Sequence, residues 1–257
     1  MSSDSKTWLK SFWVALQFLT IFPVPKQYEL DGRIIAGSVL FYPLVGLVVG
    51  LILWLVAFLL GGIFSSLVLS AILVLVWVVV TGALHLDGLA DCADAWVGGL
   101  GSKERTLEIM KDPASGPVAV VSLLVLLLLK FALLEALVSQ QAYGSLIFAP
   151  LFGRMAAITL LLTTSYVRPG GLGEALSTGL SRRKAWLQIM VIGLLLIFIS
   201  PVIVLPVLLL TMGTFLLWRW MMMKRLGGCT GDTLGAMIEL IELSSLLAIV
   251  GLIGVMS

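Results

Sequence analysis

The chain has 257 residues, 60% of them apolar and only 12% charged, with a mean hydropathy of +1.13; ordinary soluble domains are about 45–50% apolar and about 25% charged. That composition excludes a soluble globule, a disordered chain and a fibrous repeat, and two cysteines, Cys92 and Cys229, define no disulfide framework. Sixteen basic against 14 acidic residues leave a formal charge of +2, too small an excess to suggest nucleic acid as a partner.

The first predicted element is a helix over 5–22. Its apolar stretch Phe12–Phe22 follows Lys6 and Lys10 as in a signal peptide, but it carries Gln17 and Thr20 and ends in Pro23-Val24-Pro25. Trp8, Phe12, Leu16 and Leu19 share one face, so a retained helix lying at the membrane interface is expected. Windows long enough to cross about 30 Å of hydrocarbon then recur seven times, near 34–60, 65–86, 115–138, 143–167, 185–199, 201–220 and 233–256. Ser200-Pro201 and Pro206 interrupt the fifth and sixth. With no internal repeat, residues 1–257 read as a single all-α integral membrane domain, a polytopic bundle of about seven transmembrane helices.

Charge placement orients the bundle. Lys6, Lys10, Lys26, Arg33, Lys103, Arg105, Lys111, Arg168, Arg182, Arg183, Lys184, Arg219, Lys224 and Arg225 lie in or beside alternate connections. The positive-inside rule therefore places the N-terminus and the long loops in the cytoplasm and the C-terminus outside. Asp87, Asp91, Asp94, Glu104, Glu108, Asp112, Glu174 and Asp232 share that cytoplasmic side, so the chemistry is expected there, above all in a loop over 85–113.

Within 81–94 three carboxylates crowd into eight residues. On a helix Asp87, Asp91 and Asp94 stand at i, i+4 and i+7, where like charges repel unless a cation sits between them. Mg²⁺ or Mn²⁺ carrying a diphosphate suits an all-oxygen donor set. His85, the only histidine, reads as a general base or a phosphate donor, or as an interfacial histidine bonded to backbone. After Gly98-Gly99-Leu100-Gly101, Ser102 caps a short helix whose Arg105 and Lys111 either pair with neighbouring acids or reach substrate phosphates. Residues 227–235, Gly-Gly-Cys-Thr-Gly-Asp-Thr-Leu-Gly, open the last span with free N–H groups suited to phosphate. Deeper in that span Glu239 and Glu242 are costly in lipid and point to function, or to pairing with Arg154 or Lys130.

Taken together these motifs resemble the cobalamin synthase family, the membrane-bound adenosylcobinamide-GDP ribazoletransferases. The likeness runs from Leu19-Thr20-Ile21-Phe22-Pro23-Val24-Pro25 through Phe41-Tyr42-Pro43-Leu44-Val45-Gly46, His85-Leu86-Asp87-Gly88-Leu89-Ala90-Asp91 and Leu107-Glu108-Ile109-Met110-Lys111-Asp112 to Thr230-Gly231-Asp232-Thr233-Leu234-Gly235-Ala236. It departs from the family pattern at Ala95-Trp96 and at 113–117.

The resemblance implies a transferase of the prokaryotic cytoplasmic (inner) membrane. It would join the cobinamide phosphate of adenosylcobinamide-GDP to α-ribazole or α-ribazole 5′-phosphate, releasing GMP with Mg²⁺ as cofactor. Asp87, Asp91 and Asp94 would hold the metal, Asp232 and Glu242 would complete its shell, and His85 or a carboxylate would take the hydroxyl proton. Arg105, Lys111, Asp112, Arg154, Thr230 and Gly231 are the expected substrate-binding residues, the lipid bilayer is a partner, and a homo-oligomer is left open. A CDP-alcohol phosphotransferase is the competing enzyme reading, but no Arg lies between Asp94 and Lys103 as its motif requires. A transporter using Lys130, Arg154, Glu239 and Glu242 lacks the repeat such folds carry.

Overall fold

The computed structural model describes residues 3–25, 31–168 and 172–256; Lys26 of the basic tally lies outside them. Their helices are α1 (Ser3–Leu19), α2 (Gly32–Ser38), α3 (Tyr42–Leu60), α4 (Ser66–Thr81), α5 (Leu84–Gly98), α6 (Lys103–Ile109), α7 (Pro117–Ser139), α8 (Phe148–Thr163), α9 (Leu172–Thr178), α10 (Arg182–Ile199), α11 (Pro201–Leu226) and α12 (Gly231–Met256). Short 3-10 turns lead into α3 and α8, and β structure among the described residues is limited to a bridge between Tyr166 and Cys229. The chain is thus the all-α polytopic bundle that its hydropathy requires.

Five stretches are long and apolar enough to cross a bilayer: Gly32–Leu60, α7, Tyr143–Thr163, α11 and Gly231–Gly254. The expected span 65–86 is broken. α4 stops at Thr81, and α5 leaves at 89° to it, so the pair adds a sixth candidate only if counted together. The corner is two successive left-handed residues, Gly82 at φ 61° and Ala83 at φ 56°. Alanine seldom adopts that conformation, but here its N–H donates to Val78 O and its carbonyl accepts the N–H of Asp87.

The expected fifth span, 185–199, is helical as part of α10, yet α10 opens on Arg182-Arg183-Lys184 and is too charged to pass by composition. Its place in the bundle is still that of a span. Arg182 reaches Leu162 O at the end of α8, while Ser200 hands the chain to α11 at the far end. Pro206 does not break α11, which runs unbroken to Leu226.

Small residues let the spans approach. Gly46 and Gly50, at i and i+4 on α3, face the backbone of Pro150 and Ile147, where an added Cβ would lie only 2.6–2.7 Å from the nearest atoms. This is the small-residue contact by which membrane helices gain van der Waals packing. α1 packs on α2 and α3 through Ser11, Val14, Ala15, Leu16 and Leu19. Trp8, placed by periodicity on the apolar face, is half-exposed instead.

α12 is the centre of the bundle, packed on α5, α7, α8 and α11. Four buried charges fix it there. Lys130 Nζ of α7 donates to Glu239 Oε2 at 2.7 Å and to Glu242 Oε2 at 2.6 Å, and Arg154 of α8 pairs with the other oxygen of Glu242. The Lys130 ammonium also sits 4.3 Å over the Trp77 ring of α4. Two cations against two anions leave the cluster neutral by formal charge, which makes it tolerable away from water.

Glu242→Gln removes one anion and leaves two buried cations sharing Glu239. The expected loss is about 3–5 kcal/mol of stability, read as a lower midpoint of thermal unfolding in detergent, with any response to Mg²⁺ unchanged. A midpoint equal to that of the parent protein would show that the four charges do not hold α12.

Candidate functional site

The 89° corner lays α5 across one end of the bundle, against the first turns of α12. The region expected as a loop over 85–113 is therefore mostly two helices, α5 and α6. Gly88 makes the crossing close: a Cβ there would stand 2.7 Å from Asp232 O and 3.0 Å from its Cα. On the α12 side, a Cβ on Gly235 would stand 3.2 Å from His85 Cα. Two glycines thus bring the backbone of α5 onto that of α12, and Asp87 and Asp91 face Asp232 as a result.

The electrostatics record that meeting. Burial first, then the facing carboxylates of Asp87 and Asp232, push Asp91 up to about 7, with a smaller contribution from Asp94 and an opposing one from Arg168. Arg168, just beyond α8, pairs with Asp232 Oδ2 at 3.1 Å and remains partly exposed. Its position is held by the Tyr166–Cys229 bridge, in which Val167 N donates to Cys229 O and Cys229 N to Ser165 O. Arg168 was legible in the sequence only as one loop cation among many.

The predicted site residues divide. Asp87, Asp91 and Asp232 come together. Asp94, on the same helix, is engaged elsewhere: its carboxylate accepts the N–H of Gly116 at 2.5 Å and of Ala119 at 2.9 Å, capping α7. Thr230 and Thr233 form a reciprocal cap on α12, with Thr230 N donating to Thr233 Oγ1 at 2.8 Å and Thr233 N to Thr230 Oγ1 at 3.3 Å. Gly231 opens onto free space, so no close approach demands glycine there.

Two assignments are corrected. Glu242 does not join the aspartates, because it lies ten residues beyond Asp232 on one helix, about 15 Å along the axis, with both oxygens taken by Lys130 and Arg154. Arg154 is wholly buried at that pair and presents no surface to a substrate.

Arg105 is exposed and pairs with Glu108 at 2.8 Å on α6, and Ser102 caps that helix as expected. Asp112 Oδ1 accepts Ala114 N at 3.0 Å in a turn, and Lys111 beside it is exposed.

His85 is only 4% exposed, and neither ring nitrogen has a hydrogen-bond partner. Burial, reinforced by the charges of Arg154 and Lys130, holds its imidazole well below the usual value, so the ring is neutral. It lines an open cleft of about 300 Å³ whose walls come from α1, α8, α9 and the start of α12.

As the side chains stand, no three His, Cys, Asp or Glu residues among those described converge on one metal position. The donor chemistry still fits a hard divalent cation. Asp87, Asp91 and Asp232 offer only carboxylate oxygens, and the repulsion of Asp87 and Asp232, which adds to the effect of burial on Asp91, is one that a cation would relieve.

A helical membrane protein with an all-carboxylate cluster and one arginine where two helices cross belongs to the class suited to binding phosphorylated substrates. Comparison narrows the class: over residues 11–250 the chain matches the family described as Cobalamin-5-phosphate synthase, and it belongs to that family. It is 50% identical over 237 residues to the adenosylcobinamide-GDP ribazoletransferase of Pseudomonas fluorescens (strain Pf0-1), covering 92% of this chain and 97% of the relative. It is 51% identical over 238 residues to the protein of that name from Pseudomonas putida (strain F1), covering 93% and 97%. No solved structure matches significantly.

Asp94→Ala should lower stability by about 1 kcal/mol through loss of the α7 cap, while Asp94→Asn, which keeps one acceptor oxygen, should lose less. Thermal unfolding in detergent separates them; equal midpoints for the alanine variant and the parent would remove the capping role.

Proposed function

We propose that this chain is a membrane-bound phosphoryl transferase. It joins adenosylcobinamide-GDP to α-ribazole or α-ribazole 5′-phosphate and releases GMP at the assembly stage of cobalamin synthesis. Membership of the family and half-identity to named ribazoletransferases support this activity. The observation that carries the site is the meeting of Asp87, Asp91 and Asp232 with Arg168 at the α5–α12 crossing.

In this reading Asp87, Asp91 and Asp232 hold Mg²⁺, with Mn²⁺ as a substitute. A bound divalent cation neutralises charge on the diphosphate. Arg168, paired with Asp232 yet partly exposed, turns to the phosphate of the departing GMP. An acceptor hydroxyl attacks the cobinamide-linked phosphorus, the bond to the GMP oxygen breaks, and a carboxylate of the cluster takes the hydroxyl proton. Catalysis is mainly positioning and charge neutralisation, as for phosphoryl transfer generally. Asp94 adds charge at the edge of the cluster while it caps α7.

The site faces the cytoplasm of a prokaryotic inner membrane. Support comes from the cations gathered at the same end as the aspartates: Arg182 and Arg219 cap the last carbonyls of α8, and Arg225 binds Gly99 O and Trp96 O. A CDP-alcohol phosphotransferase and a transporter are not favoured.

Asp87→Asn, Asp91→Asn and Asp232→Asn should each lower metal-dependent GMP release from adenosylcobinamide-GDP plus α-ribazole by at least about 100-fold, as when a charge-stabilised transition state is disturbed. Protonated Asp91 cannot ligate, so stabilisation of the parent protein by Mg²⁺ should be present above pH 7 and fade as pH drops through about 7. The metal-free protein should behave oppositely. Folded Asp91 keeps its proton up to about 7, so stability falls as pH rises from the ordinary carboxylate range toward that value. Full activity in two of the three variants would dismiss the cluster.

For topology, a phosphatase fused to the C-terminus should be active outside the cytoplasmic membrane and a fluorescent protein fused there should stay dark. The reverse pattern would mean an even number of crossings.

A further inference from the structure

We propose that the cleft beside His85 seats the heteroaromatic base of the acceptor nucleoside, with His85 as its hydrogen-bonding partner; this rests on the ribazoletransferase reading. The cleft adjoins the carboxylate cluster, since it is lined by His85, two residues before Asp87, by Gly231, one before Asp232, and by Arg168, the partner of Asp232. Its other walls are largely apolar, with Leu161, Leu176 and Ile238 all buried, and its volume is about 300 Å³. A pocket of that size with apolar walls and a few polar groups at one end is the ordinary form of a small-molecule site. Both nitrogens of His85 are buried and lack a partner, and the residue lines the cleft. A small turn of the ring toward a seated base would give one of them a hydrogen bond to a ring nitrogen of that base.

The polarity gradient gives the ligand its direction. An aromatic nucleoside has an apolar flat end and a hydroxylated end; with the first against Leu161, Leu176 and Ile238, the second reaches Arg168 and the aspartates, where a hydroxyl must arrive to attack phosphorus. The donor, a macrocycle joined to a nucleotide, is far too large for the cleft. His85 touches the part of the acceptor remote from the reacting atoms and is a positioning residue in this assignment.

The test uses full-length protein in detergent with Mg²⁺, steady-state kinetics with both substrates varied, and free benzimidazole as a probe that cannot react. Leu176→Trp fills the cleft from α9 and Leu161→Phe from α8, so that one folding failure does not end the experiment. Each should raise the KM for α-ribazole at least tenfold, with kcat and the KM for adenosylcobinamide-GDP within threefold of the parent. His85→Leu should do the same, and His85→Gln, which keeps a donor and an acceptor, should recover part of the loss. Benzimidazole should inhibit the parent competitively with α-ribazole and lose that effect in Leu161→Phe.

An unchanged KM for α-ribazole in the filled variants, or a rise in the KM for the donor instead, overturns the assignment and leaves the cleft to lipid or to the donor. Retained benzimidazole inhibition in Leu161→Phe also overturns it. Absence of any GMP release from the parent protein would instead defeat the ribazoletransferase reading, a result distinguishable from all of these.

Discussion

Four charges that have no water to face govern the arrangement of this bundle. Lys130, Arg154, Glu239 and Glu242 sit on three different spans, and each must find an opposite charge within the protein. Meeting that requirement sets the rotation and depth of α12 against α7 and α8. Rotation of α12 by one residue, about 100°, would carry its glutamates away from Lys130 and Arg154. Because α12 is a continuous helix, the same register decides where its first turn lies and hence where Asp232 points. A structural necessity inside the bundle thereby positions the aspartate cluster at its end.

The end itself is built by ending helices abruptly. Two left-handed residues, Gly82 and Ala83, stop α4 and send α5 across the bundle, where Gly88 lets it lie on the backbone of α12. Around that crossing many charged groups serve helix ends: Asp94 caps α7, Arg182 and Arg219 take carbonyls at the end of α8, and Arg225 takes those of Trp96 and Gly99 near the end of α5. A Trp96–Trp218 stack at 5.2 Å, with Trp218 Nε1 donating to Thr233 O, ties α5, α11 and α12 together. The fixed frame leaves Asp87, Asp91 and Arg168 reachable from outside.

The amino-acid sequence by itself determined the all-α membrane class, because runs of apolar residues have no stable alternative once backbone groups must bond internally. It determined that α5 carries aspartates on one stripe, since helix periodicity is local. Its ordered motifs were also specific enough to indicate the family. Tertiary structure alone decided which acids lie together. Asp232 joins Asp87 across 145 residues through a glycine-mediated crossing, whereas Glu242, equally acidic and on the same helix, is taken by Lys130 and Arg154. The break in the second span was equally invisible to hydropathy, which measures how much apolar surface a segment offers but carries no information on backbone direction. The pairing of Arg168 and the lack of a partner at His85 were hidden for the same reason: a partner, or the lack of one, is a property of elements brought together from distant parts of the chain.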